Sequence, residues 1–169
     1  VDDDIIRKNP AKDALGDNGE PAKEKMALTP SQQNRLLSFV EQSSVYNVYL
    51  PMLQIMIGTG CRCGELIGLT WADVDMEKKE VSISCQLIYK NYGDGYKFHV
   101  STPKTDAGIR KIPMSETVYK AFAAQKRQNF LQRIPRNVEI EGRTDFIFMS
   151  KNGRPLMPSA VNNVLYNIL

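Results

Sequence analysis

The chain has 169 residues, of which 42% are hydrophobic and 24% charged, with a net charge of +3. That length allows one sizeable core, and that composition excludes a disordered or fibrous chain. No apolar run approaches the roughly 18 residues needed to cross a bilayer, and the acidic start Val1-Asp2-Asp3-Asp4 is not a signal peptide, so a cytoplasmic protein without a membrane partner is expected.

The charge is unevenly spread. Residues 1–25 hold seven acids and five bases, which leaves 17 bases against 12 acids for the rest. That excess permits a polyanionic partner without requiring one. Cys61, Cys63 and Cys85 cannot form a paired disulfide framework, and with His99 as the single histidine they make a poor zinc set. They read as small buried hydrophobes in a reducing compartment, and no metal is expected.

Residues 1–26 read as an interdomain linker, punctuated by Asn9-Pro10, Gly16-Asp17-Asn18-Gly19 and Glu20-Pro21. Thr29-Pro30, with Gln32 three residues after the threonine, predicts a capped helix whose stripe is Leu36, Phe39, Val40 and Ser43. A more apolar helix is expected over Val45–Ile57, with Tyr49, Met52, Leu53 and Met56 in the core, ended by Gly58-Thr59-Gly60. A short helix over Arg62–Leu69 follows at once.

The period then changes to two. Val81, Ile83, Cys85 and Leu87 alternate with polar residues, as do Tyr96, Phe98 and Val100, and Ile109–Pro113 adds a third run. Turn chemistry at 91–95 and 103–108 separates them, so the expectation is a three-stranded antiparallel meander. A helix over Ser115–Gln132 carries Tyr119, Phe122 and Phe130 inward and Lys120 and Arg127 outward. Asp145–Met149 reads as extended, and Pro158 starts a last helix with the stripe Val161, Val164, Leu165 and Ile168. That stripe runs to Leu169 without a cap, which suggests a piece of a longer protein.

The most informative stretch is Thr59-Gly60-Cys61-Arg62-Cys63-Gly64-Glu65-Leu66, continuing through Leu69, Trp71, Asp73, Val74 and Asp75. Arg62 falls where a helix begins after a glycine turn, beside unsatisfied N–H groups. Its planar fork can hold two oxygens of one phosphodiester and stabilise the charge that builds on them. Alternatively Arg62 pairs with Glu65, three residues on along the same face.

This stretch resembles the first signature box of the tyrosine recombinases, the phage-integrase family. Thr102-Pro103-Lys104-Thr105, continuing to Met114, resembles that family's β-hairpin with its catalytic lysine, and Ile5-Ile6-Arg7-Lys8-Asn9-Pro10 resembles the connection from a preceding domain. The spelling is most like that of conjugative-transposon integrases of Gram-positive bacteria. The resemblance implies an α+β, mainly helical catalytic domain with a small antiparallel sheet, of which residues 27–169 are the front part.

It also implies roles. Arg62 and Lys104 are the catalytic pair, Lys104 as general acid, and Glu65 supports Arg62 rather than touching DNA. Arg7, Lys8, Arg110, Lys111, Lys120 and Arg127 are candidates for phosphate contacts. Lys126, Arg133 and Arg136 complete a basic run over 117–138, for which a solvated helix face is the commoner and favoured account. His99 matches no family position and reads as a surface residue, and Trp71 reads as core.

The family's H-x-x-R box and nucleophilic tyrosine cannot be placed here, and Tyr166, with no H-x-x-R before it, is not the nucleophile. By resemblance, the parent cleaves and rejoins duplex DNA through a 3′-phosphotyrosyl link. It works as a tetramer, without metal, cofactor or small-molecule substrate. The rival reading is a non-catalytic DNA-binding module that keeps the fold, against which the retention of both Arg62 and Lys104 argues.

Overall fold

A computed structural model describes residues 27–103 and 108–168. Helix α1, Pro30–Gln42, starts as the sequence predicts: the Thr29 hydroxyl accepts the Gln32 amide at 3.3 Å, and the Gln32 side chain accepts the Thr29 amide at 2.8 Å. Leu36 and Val40 are its buried residues. Phe39 lies at the edge of that stripe and is 53% exposed, its ring 6.3 Å from that of Tyr46.

The expected helix over Val45–Ile57 forms as a single 3₁₀ turn, Asn47–Tyr49, running into α2, Leu50–Thr59. Pro51 sets this boundary, because a residue without an N–H fits only the first turn of an α-helix. Gly60 ends α2 in the left-handed region (φ 62°), and its amide donates to the Met56 carbonyl at 3.0 Å. Three residues later α3, Cys63–Gly68, begins.

The expected meander is replaced by two sheets. Strands β1 (Val74–Asp75), β2 (Glu80–Ile83) and β5 (Arg110–Pro113) form one antiparallel sheet, with β2 central and Ile83 opposite Arg110. Strands β3 (Gln86–Asn91) and β4 (Tyr96–Ser101) form a separate hairpin, closed where the Asn91 side-chain oxygen accepts the Gly93 and Gly95 amides. The run from Val81 to Leu87 keeps its alternation of burial but breaks its ladder at Ser84-Cys85. Period two reports which face is buried; it does not report which strand is the neighbour.

Beyond the break, β3 lies against α3. Gly64 and Gly68, one helical turn apart, face β3 so closely that a Cβ on Gly64 would stand 3.0 Å from the Leu87 carbonyl oxygen, and one on Gly68 would stand 3.1 Å from the Leu87 amide nitrogen. The glycines let helix backbone lie on strand backbone. Leu66 and Ile67 on α3 are fully buried, each worth about 1.5–3 kcal/mol.

Helix α4, Glu116–Leu131, packs on α2 with Val118, Ala121 and Phe122 inward. Phe130 is not inward as expected but 77% exposed. It stands about 80° round the helix from Phe122, and the inward positions there are Gln125 and Asn129. Gln125 donates to the Asn129 side chain at 2.9 Å, and Asn129 donates to the Ile147 carbonyl at 2.7 Å. This satisfies a buried polar pair and ties α4 to the extended segment 145–149. That segment buries Phe146, Ile147 and Phe148 and bridges to Thr70.

Helix α5, Pro158–Ile168, buries Val161 and half-buries Val164, Leu165 and Ile168. The architecture is therefore α+β, mainly helical with small antiparallel sheets, as the sequence predicts. Gly64→Val is expected to lower unfolding stability by about 2 kcal/mol, because the strand backbone cannot move aside as a side-chain tip can. Chemical denaturation measures it, and a variant as stable as the parent would contradict this close packing.

Candidate phosphate-binding site

Arg62 is the residue just before α3, with extended backbone (φ −69°, ψ 156°). Glu65, in the first turn, turns back, and its Oε2 accepts the Arg62 amide at 2.8 Å. This is the glutamate half of a capping box; the arginine side chain has no acceptor to supply the other half. The same carboxylate takes the Arg62 guanidinium, Nη1 to Oε1, at 3.0 Å. Pairing and availability coexist here, for the Arg62 side chain is 77% exposed while that of Glu65 is 5% exposed.

Glu65 has a second partner that the sequence did not signal. Arg110, placed among the phosphate contacts, reaches 45 residues across to Glu65, with Nη1 at 3.2 Å from Oε1 and Nη2 at 2.8 Å from Oε2. Its Nη1 also meets the Gly108 carbonyl at 3.3 Å, and its side chain is 29% exposed. A two-pronged grip on a buried carboxylate employs Arg110 inside the protein.

Burial pushes the Glu65 carboxyl up, but hydrogen bonds from Arg110 and from the amide and guanidinium of Arg62 outweigh it and bring it from 4.5 down to about 2. The carboxylate is thus ionised, and the three side chains together carry one net positive charge, borne outward by Arg62.

A second clamp holds the far end of α3. Asp73 Oδ2 accepts both the amide and the hydroxyl of Thr70 at 2.8 Å and pairs with Arg143. Arg143 also donates to the Gly68 carbonyl at 3.3 Å, one of the carbonyls left open where α3 stops. No spacing in the sequence signals Arg143, because its partners lie about seventy residues away.

Lys104, Arg7 and Lys8 lie outside the described residues. Lys111 is exposed on β5, and Lys120 and Arg127 are exposed on α4, Lys120 lying 3.6 Å from Glu116. No ion pair among the described residues joins these three to the cluster. Lys126 stands 5.5 Å over the ring of Trp71, which is half-buried with its edge against Phe122.

His99 is a correction: its side chain is only 14% exposed, with Nδ1 3.0 Å from Glu141 Oε1. Glu141 Oε2 also accepts the Val100 amide at 2.9 Å, so this carboxylate fastens β4 to the turn at 140–143. Cys61 and Cys85 are buried and Cys63 half-buried, and burial pushes all three thiols up. Among the described residues no group of three histidine, cysteine, aspartate or glutamate side chains could hold a metal ion, and no helix is long and apolar enough to cross a membrane.

Arg62 is thus an exposed guanidinium anchored through its own backbone amide and a buried carboxylate, just after a glycine turn. Residues 26–169 match the phage integrase family, and the chain belongs to it, a tyrosine recombinase by fold and by signature box.

The chain is 34% identical along its whole length to the transposase from transposon Tn916 of Enterococcus faecalis, and it spans 40% of that relative. It is 27% identical over 128 residues to the ICEBs1 integrase of Bacillus subtilis, covering 75% of this chain and 32% of the relative. Among solved structures, the Tn1549 transposon integrase in complex with a circular intermediate DNA superposes with a TM-score of 0.81 at 36% identity, over 99% of this chain and 51% of that one. The XerA recombinase, at 16% identity and a TM-score of 0.58 over 89% of this chain and 43% of its own, shares the fold.

The lowered carboxyl makes stability depend on acid. Glu65 stabilises the fold fully above its ordinary 4.5, and that contribution is lost as pH falls through about 2. It amounts to about 3 kcal/mol. Glu65→Gln is expected to remove this acid-sensitive part and to cost about 2–4 kcal/mol at neutral pH. Urea unfolding at pH 6, 4 and 2.5 measures both, and a pH slope unchanged by the substitution would refute the assignment.

Proposed function

We propose that residues 27–169 are the front part of the catalytic domain of an enzyme that integrates or excises mobile DNA, with residues 1–26 as the linker from a preceding domain. The observation that carries this reading is the exposed Arg62 guanidinium, anchored on a carboxylate that is itself out of solvent. Because Arg62 spends one N–H on Glu65, its remaining donors are free for two non-bridging oxygens of a scissile phosphodiester. As a nucleophile attacks in line, charge builds on those oxygens, and a positioned guanidinium lowers the barrier most at that point.

Lys104 supplies the proton that lets the sugar 5′-oxygen leave. The nucleophile is a tyrosine outside this chain, accompanied there by the H-x-x-R box, so the chain alone is inactive. Attack yields a 3′-phosphotyrosyl link and a free 5′-hydroxyl; attack by a new 5′-hydroxyl reverses the step on another strand. One phosphodiester is exchanged for another throughout, so neither ATP nor a metal is needed.

Arg7, Lys8, Lys111, Lys120 and Arg127 serve as backbone phosphate contacts, and the working unit is a tetramer on two duplexes in the cytoplasm. The DNA-bound state of the similar Tn1549 integrase supports duplex DNA as the partner.

In the full-length parent, Arg62→Ala or Arg62→Lys is expected to slow cleavage of a suicide substrate by at least about 100-fold while duplex affinity stays within a few-fold. Cleavage at the parent's rate would overturn the role of Arg62.

A further inference from the structure

Glu65 is shared unequally. Arg110 holds both of its oxygens, at 3.2 and 2.8 Å, from a side chain 29% exposed, whereas Arg62 holds one oxygen at 3.0 Å from a side chain 77% exposed. A carboxylate 5% exposed cannot be left without a counter-charge. If Arg62 were the sole partner, it would be bound to stay, and a phosphate would have to compete with the carboxylate for it.

We propose that Arg110 is a positioning residue for strand cleavage: by compensating Glu65 from within the protein, it releases the Arg62 guanidinium to the phosphodiester. This rests on Arg62 acting at the phosphate, as proposed above. It replaces a direct phosphate contact by Arg110 with an indirect role. The geometry also links two segments that the chemistry requires together. Arg110 belongs to β5, it touches the Gly108 carbonyl at 3.3 Å just after the lysine-bearing segment, and its fork ends on α3, beneath Arg62.

The test uses the full-length enzyme with three readouts: single-turnover cleavage of a suicide duplex at saturating protein, duplex affinity over a range of salt, and unfolding. Arg110→Ala is expected to slow cleavage about 100-fold, the cost of a misplaced catalytic group. Affinity and its salt slope should match the parent, whereas loss of a direct phosphate contact would lower that slope by about one.

The decisive variant is the double substitution Glu65→Gln with Arg110→Ala. Removing the charge that draws Arg62 inward should restore cleavage at least 10-fold over Arg110→Ala alone. A purely structural contact predicts that the double variant, having lost more, cleaves no faster.

Parent-like cleavage by Arg110→Ala, a lowered salt slope, or absence of rescue each overturns the proposal. Should Arg110→Ala fail to fold, Arg110→Lys keeps the charge without the fork and is expected to cleave about 10-fold more slowly than the parent; parent-like cleavage by it would overturn the proposal equally. If Arg62→Ala itself cleaves normally, the site reading fails. If Arg62→Ala is inactive and Arg110→Ala is normal, only the positioning role fails.

Discussion

A carboxylate taken out of water between two guanidinium groups is the constraint on which this structure turns. Glu65 closes the first turn of α3 through the Arg62 amide, fixes the Arg62 side chain, and draws Arg110 in from β5. Each bond alone is modest, and the ion pair by itself would be worth little at a surface. Their concentration on one buried group makes them interdependent, and the two-pronged Arg110 contact is the one whose loss leaves the carboxylate dependent on Arg62 alone.

Around that group the chain is arranged to hold a six-residue helix still. Gly64 and Gly68 press α3 against β3, Leu66 and Ile67 sink into the core, and Asp73 with Arg143 finishes the end where carbonyls would be left open. So short a helix is not stable by itself. It packs on β3 and α5, and the 145–149 segment pairs with Leu69–Trp71 directly after it. The exposed arginine at its start is held through its backbone amide and one guanidinium nitrogen.

The likeness to integrases covers the whole chain but only about two fifths of the Tn916 transposase. Within that share the chain carries the exposed guanidinium of Arg62, with Glu65 and Arg110 behind it.

Local chemistry made much of this legible from the amino acids: the Thr29 cap, the Gly60 stop, the exposed start of α3 at Arg62, and the pairing of Arg62 with Glu65, all set by residues within a turn or two of each other. Where partners are distant, the sequence was silent or misleading. It placed Phe130 inward where Asn129 is buried, joined β2 and β3 into one strand, put His99 on the surface, and gave no sign that Arg110 meets Glu65.

The sequence by itself determined the helices, their caps and the signature box, since periodicity and capping act over a few residues. Only the tertiary structure decided which strand neighbours which and which cation meets which acid. Those choices come from burial, and a charge that must be compensated in the interior takes its partner from whatever the fold brings near.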